Sequence, residues 1–166
     1  MPWNVIRERA AEFTGGQALM STPAWWSELL GASEVLAESD REEVREWQNE
    51  PDNEDPVSPT ERDEEDVPPL TARLGLLAGA FRRNVPTMPA EERREALGVL
   101  ERIMATEGHA DRTAVGTGFL EPLLMAWDRG FDLHLIWGEL GRESRSFCLA
   151  LNEFWGVKSP DWMRGE

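Results

Sequence analysis

The sequence predicts an all-α fold, a single-domain bundle of about six to seven helices carrying one long acidic loop. Three observations point there. Apolar residues recur at spacings of three and four in successive windows, which is the period of a helix face. No two alternating apolar runs are joined by a hairpin turn, so a sheet has no support. The windows are separated by short connections, which favour antiparallel helical neighbours. A chain of 166 residues is one domain by size and buries roughly 70% of its unfolded surface, enough for a core without disulfides or metals.

The first window, residues 3–13, places Trp3, Ile6, Ala10 and Phe13 on one face and stops at Thr14-Gly15-Gly16. The second opens with Thr22 as a candidate N-cap and Pro23 at the first helical position, where its missing N–H costs nothing. Trp25, Trp26, Leu29 and Leu30 form its stripe, and Gly31 ends it. Asp40 and Glu43 have the outline of a capping box, so a short charged helix is expected from there through Val44 and Trp47. Residues 50–66 read as a long acidic loop, because like-charge repulsion and several prolines oppose regular structure.

Beyond the loop, Leu70, Leu74, Leu77 and Phe81 predict a helix over 69–84. Pro86 and Pro89 separate it from a helix over 89–107, with Glu91 and Glu92 in the first turn and Leu97, Leu100, Ile103 and Met104 inward. Gly108 stops that helix, and Asp111 is placed to cap the next, whose stripe is Val115, Phe119, Leu120, Leu123, Leu124 and Trp127. Pro122 lies inside it, so a kink is expected there, eased by Gly116 and Gly118. After Gly130 come a short apolar helix or turn over 131–137 and a last helix over 142–155, with Phe147, Ala150, Leu151 and Phe154 inward.

The net charge is −15, and it is unevenly placed. Residues 38–69 hold 14 acids against 3 arginines, a net of −11, leaving −4 for the rest. Such a field repels nucleic acid and anionic lipid and raises encounter rates with basic proteins. The N-terminus is charged where a signal peptide needs an apolar run of about 7–15 residues. No stretch approaches the roughly 18 apolar residues of a membrane span, so the expected location is the cytoplasm.

Catalytic chemistry finds little to stand on. Cys148 is the single cysteine, which leaves no intramolecular disulfide and no zinc site built from several cysteines, with or without histidines. Its apolar neighbours suit a buried structural thiol better than a nucleophile. Gly116 and Gly118 lack the third glycine or lysine of a phosphate loop, and His109 and His134 have no partner motif. No catalytic residue, cofactor or metal ligand is assigned. A convergence of Glu121, Asp128, His134 and Glu153 would be the sign of a metal-dependent enzyme.

Eight tryptophans with no tyrosine is unusual. Trp127, Trp137 and Trp155 lie in apolar segments and read as core, and Trp162 is ambiguous. Trp25 and Trp26 project about 100° apart on a helix, so flanking elements bury both or one is left in solvent as a binding anchor.

One signature stands out near the end of the chain: Gly118-Phe119-Leu120-Glu121, then Leu140-Gly141-Arg142-Glu143-Ser144-Arg145-Ser146-Phe147-Cys148, then Asn152-Glu153-Phe154-Trp155-Gly156-Val157. It resembles the C-terminal signature FLE…LGxESRx(F/Y)C…EFxG of a poorly characterised family of small helical bacterial proteins. Some of these resemble immunity proteins encoded beside polymorphic toxins. The commoner pattern has proline at the place of Arg142 and threonine at that of Trp155.

Charge and resemblance together give the expected function: a non-enzymatic, immunity-type binding protein that neutralises a basic toxin or effector by stoichiometric binding. Contacts are expected from Trp25, Trp26, Glu42, Glu43, Glu46, Trp47, Asp52, Glu54, Asp55, Asp63, Glu64, Glu65 and Asp66. The acids would steer and dock onto a basic surface such as a nuclease groove, with tryptophans as the desolvated contact. The alternative is a regulatory or scaffold protein that binds another protein through a Trp-rich helical surface.

Overall fold

The computed structural model describes residues 22–49 and 67–165. The helix expected over 3–13 and the acidic loop over 50–66 lie outside the described residues. The described chain is all-α and gathers around one hydrophobic core, with no strand among its elements. In order these are α1 (Ala24–Gly31), α2 (Glu34–Asn49), α3 (Leu70–Asn84), α4 (Ala90–Thr106), α5 (His109–Val115), a π turn (Gly116–Leu120), α6 (Glu121–Trp127), α7 (His134–Trp137), α8 (Arg142–Phe154) and α9 (Asp161–Arg164).

Helix α3 is the hub, packed against α2, α5, the π turn and α6. Its stripe of Leu74, Leu77 and Phe81 is fully buried, and Phe81 meets Phe119 edge to face at 5.7 Å. Helix α4 supplies Leu97, Leu100 and Ile103 to the same core, with Glu91 and Glu92 in its first turn as expected. For these two helices periodicity alone places the buried face and the ends within a residue or two.

Three local details differ from the expectation. The chain starts helix α1 one residue late, with Pro23 at the N-cap and no side-chain cap. Helix α5 starts at His109, which leaves Asp111 in the first turn rather than capping. Around the glycines ahead of Pro122 the chain widens into the π turn, and the proline falls at the start of α6, where its missing N–H is tolerated.

The reason for that π turn is the approach to α3. A Cβ on Gly118 would lie 2.8 Å from Leu74 Cβ and 3.2 Å from the Thr71 carbonyl oxygen, so only glycine lets the two backbones meet. Gly118→Ala is expected to cost about 1–2 kcal/mol of stability by urea unfolding. Gly98→Ala in α4, where an added Cβ meets nothing within 4 Å, is the control and should be neutral or stabilising. Equal stability of the two variants would show that the helices can separate at Gly118 without cost.

Candidate partner-binding surface

The tryptophan pair expected as a surface anchor is core. Trp25 and Trp26 are 4% and 3% exposed, because α1 packs on α2 and α4 and turns both indoles inward, leaving Ala24, Ser27 and Glu28 to the solvent. The Arg73 guanidinium of α3 sits over the Trp26 ring at 4.6 Å, and Trp26 Nε1 donates to Asp40 Oδ2 at 3.4 Å. Neither indole can serve as an exposed contact without unpacking the bundle.

Asp40 likewise departs from its expected place. It does not cap a short helix; α2 begins at Glu34, where the Ser33 carbonyl accepts from Leu36 and Ala37 N–H. Asp40 sits in the middle of α2 on its inner face and takes a two-pronged ion pair from Arg73, Nε to Oδ1 at 2.8 Å and Nη2 to Oδ2 at 2.6 Å. Both side chains are 7% exposed. The local pattern of Asp40 and Glu43 cannot show a partner 33 residues away, and that partner decided the outcome.

With Leu36, Asp40 and Glu43 turned inward, the helical period turns Glu34, Glu38, Glu42 and Glu46 outward. All four are exposed and spaced four residues apart, a ridge about 18 Å long. Arg41 donates to both Glu34 and Glu38, and its hydrogen bond holds the Glu38 carboxyl below the ordinary carboxylate value. Glu42 and Glu46 make no ion pair among the described residues. With Arg45 and Asn49 they line an open depression of about 430 Å³.

Of the residues expected to contact a partner, Glu42 and Glu46 therefore stand on one accessible stripe. Glu43 is buried, Trp47 is half-buried, and Trp25 and Trp26 are inside. Asp52, Glu54, Asp55, Asp63, Glu64, Glu65 and Asp66 lie outside the described residues. Glu34 and Glu38 were missed, although their four-residue spacing is legible once α2 is known to begin at Glu34.

The last helix presents a different surface from the one expected. Helix α8 buries Ser144, Cys148 and Asn152, while Ala150 and Phe154, expected inward, are exposed. Phe154 is 83% exposed, and Trp155 and Val157 beside it are also open. Polar anchors turned the helix. Glu101 of α4 accepts from the N–H groups of Glu143 and Ser144 and from the Ser144 hydroxyl, and Asn152 Nδ2 donates to Ser159 Oγ at 3.0 Å. The Cys148 thiol is pushed up to about 12 by burial, which keeps it protonated and unsuited to nucleophilic attack.

At the far end Trp162 of α9 packs edge to face on Trp127 and Trp137, and exposed His134 stacks on it at 4.8 Å. That fixes Trp162 as a structural contact and His134 as a stacked surface ring. Among the described residues, no three His, Cys, Asp or Glu side chains gather into a metal-holding group, and Glu121, Asp128, His134 and Glu153 do not form one. No helix among the described residues is long and apolar enough to cross a membrane. Comparison of the chain with protein-family models, curated proteins and solved structures yields no match.

Proposed function

We propose that this chain is a non-enzymatic binding protein of the immunity type, neutralising a basic toxin or effector in the cytoplasm by one-to-one docking. The observation that carries the reading is the glutamate ridge of α2, Glu34, Glu38, Glu42 and Glu46, four exposed carboxylates on a helix whose inner face is tied to α3 through the Asp40–Arg73 ion pair. The Asp40–Arg73 pair locks the inner face and so sets the outer one. In sequence, the acidic residues of 50–66 follow directly after Asn49. Complementary charge steers encounter and fixes register more than it adds raw affinity.

The burial of Trp25 and Trp26 takes those two indoles out as exposed anchors for the regulatory or scaffold reading, which favours the charged ridge as the docking surface. The test begins with the basic protein recovered at one-to-one stoichiometry from low-salt lysate. Its association rate is then measured against the purified chain and against a Glu42→Lys/Glu46→Lys variant. Association is expected to slow roughly tenfold or more and to lose most of its salt dependence, with an unchanged melting temperature. An unaltered rate would take the ridge out of the mechanism.

A further inference from the structure

Helix α8 leaves a face open that no described element covers. Opposite its buried stripe lie Arg142, Ser146, Ala150, Glu153 and Phe154, all exposed, and the chain continues through exposed Trp155 and Val157. Phe154 at 83% exposure is the most accessible large apolar side chain in the described structure. The face thus combines one highly exposed apolar side chain with small residues and a charge at each end.

We propose that this face pairs with the same face of a second copy of the chain, helix α8 against helix α8, antiparallel about a two-fold axis near its middle. Three features select that occupant. The stripe is self-complementary end to end: Arg142 at one end and Glu153 at the other, so an antiparallel pairing brings Arg142 of each copy to Glu153 of its partner, twice by symmetry. Each of these charges opposes its own helix dipole, a cation in the first turn and a carboxylate in the last, and the pairing offsets both. Ser146 and Ala150 between them are small enough for close helix packing, and Phe154 supplies an apolar contact at each end.

Charge also argues for a copy over a basic partner at this face. Helix α8 carries Arg142 and Arg145 against Glu143 and Glu153 and is neutral, whereas the excess acid of the chain is concentrated in 38–69. The ridge on α2 packs with α1 and α3, and α8 packs with α4, the π turn and α6, so the two surfaces sit on different sets of neighbours. A single helix pair is at the small end of specific interfaces, which places the dimer in a weak, concentration-dependent range.

The test is sedimentation equilibrium of the purified full-length chain, alone, from micromolar to near-millimolar concentration. A monomer–dimer equilibrium is expected, abolished by Phe154→Asp with unchanged far-ultraviolet circular dichroism and melting temperature. Arg142→Glu and Glu153→Arg should each weaken the dimer at least several-fold, and the two together should restore it. A chain that stays monomeric throughout overturns the proposal, as does a dimer indifferent to Phe154→Asp or a double variant no better than the singles. A monomer destabilised by Phe154→Asp would instead point to an intramolecular contact of Phe154 and would also overturn the pairing. No partner protein enters the experiment, so its result is independent of the basic-target reading.

Discussion

Truncating Arg73 to alanine is expected to cost about 3–5 kcal/mol of folding stability, the largest single-residue effect foreseen among the polar side chains. The guanidinium makes two hydrogen bonds to Asp40, at 2.8 and 2.6 Å, and covers the Trp26 ring at 4.6 Å. With both partners 7% exposed, removing one leaves the other charge buried without compensation. That penalty, more than the lost attraction, sets the size of the effect.

The same reasoning separates two variants that look alike on paper. Replacing both partners by apolar residues of similar volume, Asp40→Leu with Arg73→Met, removes the buried charge altogether. It should recover most of the loss, because a buried ion pair and a well-packed apolar pair are close in net free energy. Urea unfolding of these variants beside the unaltered chain checks this. A loss under about 1 kcal/mol for Arg73→Ala would mean that the pair behaves as a solvent-exposed one. The pair would then not be what fixes the rotation of α2 and, with it, the outward glutamate ridge.

Removing the carboxylate of Glu101 is the second large effect, expected at about 2–3 kcal/mol for Glu101→Ala. This side chain of α4 caps a helix far downstream in the chain. It accepts from Glu143 N–H at 2.8 Å, Ser144 N–H at 2.9 Å and the Ser144 hydroxyl at 2.7 Å. It satisfies two of the backbone donors that every helix start leaves unpaired, and its charge favours the positive end of the helix. Gly141 makes room for it, since a Cβ there would overlap the Glu101 side chain.

Glu101→Gln keeps an acceptor without the charge and should lose less, and Ser144→Ala removes one of three bonds and should lose about 1 kcal/mol. Gly141→Ala should resemble Glu101→Ala, because the methyl group displaces the carboxylate. Thermal unfolding of the four variants gives the order. If Glu101→Ala and Ser144→Ala prove equally mild, the backbone N–H groups are served by solvent and the cap contributes little.

Several residues between Gly118 and Gly156 have structural roles. Gly118 and Phe119 join the π turn to α3, Gly141 and Ser144 receive Glu101, Cys148 is buried, and Asn152 holds the turn before α9. Gly156 takes a positive φ of 70°, which glycine alone adopts without strain. Arg142, Ser146, Glu153, Phe154 and Trp155 of the same stretch sit at exposed positions.

The sequence by itself determined the helical class and the faces of α3 and α4, because an unbroken apolar stripe in a window flanked by prolines leaves the backbone one favourable arrangement. It also determined that negative charge would concentrate around α2 and the segment after it, since composition needs no fold. Three polar residues took their places from contacts that folding made. Asp40 left a capping pattern for Arg73, Glu101 reached across to α8, and Asn152 turned α8 so that Phe154 faces outward. For Asp40 and Glu101 the partner is distant in sequence, and for Asn152 it lies beyond the helix end at Ser159; a buried polar group is stabilised by the partner it meets rather than by its helix neighbours. Periodicity carries no trace of such a partner, which is why the candidate surface became legible on α2 and α8 only after both helices had been rotated into place.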